Sequence, residues 1–185
     1  MRNNFVKNTV LSGLFLAIAM VLPLLTGQIP QVGSALAPMH IPVLLCGFIC
    51  GWPYGLVVGF VSPLLRFALF GMPPIFPTGI AMAFELAAYG FLTGMLYKLL
   101  PKKNLFIYVT LIVAMFAGRL VWGAARVIIA GLGESGFTWA MFIAGGFVNA
   151  VPGIILHIVI IPPIIIALKK ANLIKDNDRY SKIAA

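Results

Sequence analysis

The chain has 185 residues, 62% hydrophobic and 9% charged, with 13 Lys and Arg against 4 Asp and Glu for a formal charge of +9. A soluble domain averages roughly 45–50% apolar and 25% charged residues, so no water-soluble fold hides this much apolar surface. A membrane-crossing helix takes about 20 apolar residues, so the length fits a single integral membrane domain of residues 1–185, an all-α bundle of six transmembrane helices with no room for a soluble domain.

Taken in chain order, helix 1 is expected over about residues 8–25, followed by an uncharged loop from Gly27 to Pro38. Helix 2 is short, about 41–50, and Gly51-Trp52-Pro53 marks a break before helix 3 at about 54–70. The Pro-rich turn from Gly71 to Pro77 leads to helix 4 at about 78–99, then helix 5 at about 105–130 and helix 6 at about 137–169, too long for a plain span. Arg2 and Lys7 before an apolar run and Ala35-Leu36-Ala37 have the outline of a cleaved secretory signal, but the run lies too far from the small-residue site. Cys46 and Cys50, four apart on one helical face, fit neither a disulfide framework nor a metal set and read as packing residues.

In a soluble protein such a charge would suggest a nucleic-acid partner; here its distribution is a topology signal, and no nucleic acid is expected. Ten basic residues fall in three places: Arg2 and Lys7; Lys98, Lys102 and Lys103; and Lys169, Lys170, Lys175, Arg179 and Lys182. Those segments, and so both termini, are expected in the cytoplasm. The three opposite loops hold no Lys or Arg and only Glu134. If the short helix 2 failed to cross, the basic N-terminus and the Lys98–Lys103 loop would fall on opposite sides, so helices 2 and 3 are both expected to cross.

Ionisable groups inside a bilayer are costly, and they usually face a cavity or a partner. Four stand out: Arg66 near the outer end of helix 3, Glu85 about two turns into helix 4, and Arg119 and Arg126 on helix 5. The two last are seven apart and share a helix face. Glu85 pairs with one arginine, leaving two positive charges uncompensated. Arg66 or Arg126 can also snorkel to the outer interface, whereas Arg119 and Glu85 lie too deep and point to a polar cavity. Trp122 either walls such a cavity or faces lipid. Asn149 lies three residues before Pro152, where a broken helix would expose backbone to a ligand. His40, at the outer start of helix 2, and the deeper His157 are weaker candidates, since a lone histidine is more often packed. Gly13 with Ala17, and Gly90 with Gly94, form small-xxx-small faces for close helix contact, either inside the bundle or with an external partner.

Several chemistries are missing. The sequence has no phosphate loop, so the chain cannot drive ATP hydrolysis by itself, and no metalloprotease or nucleophile-elbow motif. Neither enzyme chemistry nor a cofactor is expected.

At this point the sequence resembles the substrate-binding S-components of energy-coupling factor (ECF) vitamin transporters, pantothenate-like branch. The resemblance rests on the loop leading into Ala37-Pro38-Met39-His40-Ile41-Pro42-Val43, on Cys50-Gly51-Trp52-Pro53-Tyr54-Gly55, and on Ser62-Pro63-Leu64-Leu65-Arg66. The Gly71–Pro77 turn and Ala83-Phe84-Glu85-Leu86-Ala87-Ala88-Tyr89-Gly90 carry it further. It implies a six-helix subunit of a prokaryotic cell membrane, with an outward pocket capped by loops, that captures a vitamin. Its implied partners are a membrane T-component and two cytoplasmic ATPases, against which the subunit topples to release its cargo. The implied T-component contact is Gly13-x-x-x-Ala17. The competing reading is an ion-coupled carrier with Glu85 as its proton site. Spare arginines favour an anionic cargo. Pantothenate has a carboxylate and pyridoxine has none, while the pterin of folate calls for more polar side chains than these spans hold.

Overall fold

The computed structural model describes residues 2–26, 33, 35–131, 136–171 and 173. All regular structure among them is helical: α1 (Arg2–Val21) with a 3-10 extension (Leu22–Thr26), α2 (His40–Cys50), and α3 (Trp52–Phe70). A kinked turn (Ile75–Gly79), with Phe76 extended at φ −116° and ψ 133°, opens onto α4 (Ile80–Leu99); α5 (Asn104–Gly131) and the short α6 (Trp139–Ile143) follow. A π-helical turn (Ala144–Val148) precedes α7 (Val151–Lys170). Glu134 and the basic tail residues Lys175, Arg179 and Lys182 lie outside the described residues.

Among the described residues five stretches are long and apolar enough to cross a membrane: Asn4–Leu25, Trp52–Phe70, Ile75–Leu99, Asn104–Gly131 and Trp139–Lys170. The exception is α2, whose eleven residues extend only about 16 Å against a hydrocarbon core of about 30 Å. Every α2 residue except Ile49 is buried, packed among α1, α3, α4 and α7. A helix enclosed by protein need not match the bilayer, because its exposed backbone ends face other helices and loops rather than lipid. Asn8 of α1 reaches across to donate to the Cys50 carbonyl at 3.2 Å, satisfying one of the carbonyls orphaned at the α2 C-terminus. Gly51 then reverses the chain at φ 93°, with its N–H on the Gly47 carbonyl at 3.1 Å.

The most extensive packing joins α3 to α4. A Cβ on Gly55 would lie 2.5 Å from the Gly90 carbonyl oxygen, and one on Gly90 would collide with the Gly55 carbonyl. Backbone therefore touches backbone there, and the Gly90 face is an internal contact. The face on α1 differs: Gly13 and Ala17 are exposed, and a Cβ at Gly13 would meet open space.

Helix 6 of the sequence reading divides. The Asn149 N–H bonds to the Ala144 carbonyl at 2.9 Å across the π turn, and α7 starts afresh at Val151. Pro152 lies in the first turn of α7 rather than kinking a continuous helix; its missing N–H would be unpaired there in any case.

The described parts of the basic segments gather at one end of the bundle. The Lys169 ammonium donates to the Lys102 carbonyl at 2.7 Å, the Lys102 ammonium caps the Tyr97 carbonyl, and Lys7 reaches the Leu173 carbonyl at 3.4 Å. Cations at helix C-termini offset the negative end of the helix dipole.

Candidate functional site

The opposite end of the bundle encloses a cavity of about 400 Å³. His40 at the start of α2, Arg66 in the last turn of α3, Glu85 and Met82 on α4, and Arg119 and Trp122 on α5 line it. Gly33, residues 37–39, the Met72-Pro73-Pro74 turn and Pro23 of the 3-10 extension add to the wall. The kinked Ile75–Gly79 turn contributes Thr78 and the π-helical turn Gly145, with Asn149 just beyond the latter. A wide π turn displaces side chains from regular helical register, and such turns recur at functional sites.

At its centre Glu85 is 1% exposed. Its Oε1 accepts from the Tyr89 hydroxyl at 2.9 Å and pairs with Arg119 Nη1 at 2.8 Å; His40 Nε2 stands 3.8 Å away. Spacings of four residues on α4 stack Tyr89 over Glu85, a signal the sequence reading passed over. The His40 ring lies 5.4 Å from that of Tyr89 and is stacked 5.9 Å from that of His157. His157 Nε2 in turn lies 3.3 Å from the carbonyl of Ala37, a residue held at φ 46°. That contact ties α7 to the segment that enters α2, and Gly153 adds to it, since a Cβ there would lie 2.6 Å from the Ala35 carbonyl. Neither ring nitrogen of His40 has a hydrogen-bond partner among the described residues, nor has Arg119 Nε.

Arg66 is buried, does not snorkel, and meets protein on two sides. Its Nη1 donates to the Met20 carbonyl at 2.8 Å and its guanidinium lies 5.1 Å from the centre of the Phe70 ring. Met20 sits in the last turn of α1, where carbonyls lose their helical partners, so Arg66 caps that helix while facing the cavity. Arg126 is placed differently: it is absent from the cavity lining and stacks 5.2 Å over Phe137. Seven residues return to nearly the same helix face but climb about 10 Å, and at that height Phe137 borders α5. Among the described residues the cavity thus holds two arginines and one carboxylate, an excess of one positive charge rather than the two expected. Trp122 walls the cavity, its ring packed against Phe137 and Phe142.

The model of the family described as ECF transporter, substrate-specific component, matches residues 7–165. The chain belongs to that family. The matched stretch contains every described residue that lines the cavity. No curated protein and no solved structure matches the chain. S-components are membrane-embedded, substrate-binding transporter subunits rather than enzymes, and they associate with an ECF membrane and ATPase module. In this S-component the apolar helices are those of a multi-pass membrane protein.

Proposed function

We propose that this S-component captures pantothenate at the outer face of a prokaryotic cell membrane and hands it to a T-component bearing two ATPases. In this reading six spans leave both termini in the cytoplasm, consistent with the gathering of Lys7, Lys102 and Lys169 at the end opposite the cavity. The observation that carries the cargo assignment is the charge of the cavity: Arg66 and Arg119 against Glu85, with Asn149, His40 and Trp122 around them. Arg119 is already paired, so Arg66 is the seat for a carboxylate, which a guanidinium holds through charge-assisted hydrogen bonds. About 400 Å³ falls within the usual range for small-molecule sites. Pyridoxine, lacking a carboxylate, leaves the excess charge unpaired, and folate needs more polar wall than these spans supply.

Titration calorimetry of the purified chain with pantothenate, folate, pyridoxine, riboflavin and thiamine tests this. Pantothenate should bind most tightly, and Arg66→Gln should weaken it by roughly 2 kcal/mol or more, the scale for removing one partner of a buried charged contact. Tight binding of an uncharged vitamin, unchanged by Arg66→Gln, would reject the assignment.

A further inference from the structure

We infer that the cavity reads its ligand by two chemically different ends: a carboxylate on Arg66, and a hydroxyl bridging His40 and Glu85, so that His40 is a specificity residue selecting hydroxylated acids. The inference rests on the acidic cargo proposed above and adds the far end of that ligand.

His40 is 3% exposed, yet both its ring nitrogens lack partners among the described residues. A buried polar group left without a hydrogen bond is costly, so in a wall of the cavity it points to a partner that arrives with the ligand. The ring is held between Tyr89 and His157, and His157 is itself anchored near Ala37, so the imidazole is held in place before the ligand arrives. The gap from His40 Nε2 to Glu85 Oε1 is 3.8 Å, too long for a direct hydrogen bond. One hydroxyl oxygen about 2.8 Å from each atom reaches both, with an angle of about 86° at the oxygen. It donates its one proton to the carboxylate and accepts from the imidazole in the tautomer that carries hydrogen on Nε2. Tyr89 and Arg119 already contact Oε1, so the hydroxyl adds a third contact at that oxygen of a carboxylate that offers about four acceptor sites in all.

The two seats stand on different elements: Arg66 on α3, and His40 with Glu85 at the start of α2 and in the second turn of α4. A short acid with its hydroxyls at the opposite end from its carboxylate matches that arrangement. A compact acid without a distal hydroxyl meets only half of it.

Calorimetry with three probes separates the ends: pantothenate; N-(3,3-dimethylbutanoyl)-β-alanine, which keeps the amide and carboxylate but lacks both hydroxyls; and pantothenol, in which an alcohol replaces the carboxylate. The unaltered chain should prefer pantothenate to the dehydroxylated acid by at least about tenfold, the worth of one buried hydrogen bond. His40→Phe keeps a flat ring between Tyr89 and His157, and it should reduce that preference to within about twofold while retaining the preference for acid over alcohol. Arg66→Gln should do the converse. Equal affinity of the unaltered chain for the two acids overturns the inference without recourse to any variant and leaves the pantothenate reading standing. So does a His40→Phe protein, folded by its thermal midpoint, that weakens both acids equally. Failure of the unaltered chain to bind any of the three removes the cargo reading and this inference together.

Discussion

Replacing Glu85 by Gln removes the carboxylate against which Arg119 lies at 2.8 Å. Deleting one partner of a buried ion pair typically costs about 3–5 kcal/mol, because the other charge is left without compensation, whereas replacing both together is often close to neutral. The Glu85 side chain is 1% exposed and that of Arg119 11%. Since Arg119 borders the cavity, some of its charge is eased by solvent, and the lower end, about 3 kcal/mol, applies. For a chain of 150–250 residues each kcal/mol moves the melting temperature by about 2–4 °C, giving a fall of about 6–12 °C for Glu85→Gln. Glu85→Gln/Arg119→Gln should recover most of that loss. Thermal unfolding of ligand-free protein in lipid nanodiscs measures all three, with Arg119→Gln alone as the reciprocal control. A double variant as unstable as the sum of the singles would refute the pairing argument, and Glu85 would then act through Tyr89 instead. The same logic explains why Arg119→Ala is a poor probe of ligand contact: it orphans Glu85 and disturbs the cavity before any ligand enters.

Cysteines placed singly at Lys102 and Pro74 should label from opposite sides of the membrane, with only Pro74→Cys reacting in intact cells; labelling at Lys102→Cys would overturn the six-span topology. Gly55→Leu should cost more than the usual 1–3 kcal/mol of an overpacked core, since backbone rather than a movable side chain stands in the way, and thermal unfolding reads it. Gly13→Leu, on open surface, should leave the melting temperature unchanged and instead reduce co-purification with a T-component; intact assembly would release α1 from that role. In proteoliposomes the chain alone should bind pantothenate without concentrating it, and concentrative uptake lacking ATP would place it among ion-coupled carriers.

Some of this organisation was legible in the sequence because it depends on local chemistry. Long apolar runs bounded by Lys and Pro mark helices whatever they pack against. Gly51 announces a reversal because it takes a backbone angle that other residues resist. The positions of the buried charges were less legible. Arg119 and Arg126 share a periodicity, but only the packing of Phe137 decides that one borders the cavity and the other does not. Arg66 reads as a free charge until the end of α1, from a different part of the chain, presents the Met20 carbonyl to it. Helix 6 reads as one long apolar element with a break expected near Asn149 and Pro152, whereas Gly145-Gly146 do not by themselves specify the π turn at Ala144–Val148, which depends on hydrogen-bond pairing. The glycine pairs show the same limit: Gly13-x-x-x-Ala17 and Gly90-x-x-x-Gly94 are alike as strings, yet one is surface and the other interior.

The brevity of α2 accounts for the hollow above it. A helix of ordinary spanning length would continue past His40 for about nine more residues, a column about 14 Å tall and 10 Å across, through the volume now shared by residues 37–39 and the cavity. Room for cargo is therefore made by subtraction, from a helix that stops early rather than from walls pushed apart. Within such a scaffold the length of one central helix sets how large a guest can be, while the outer helices that meet lipid keep their dimensions. Lengthening α2 by a single turn at its His40 end would shrink the chamber without touching any surface offered to the bilayer.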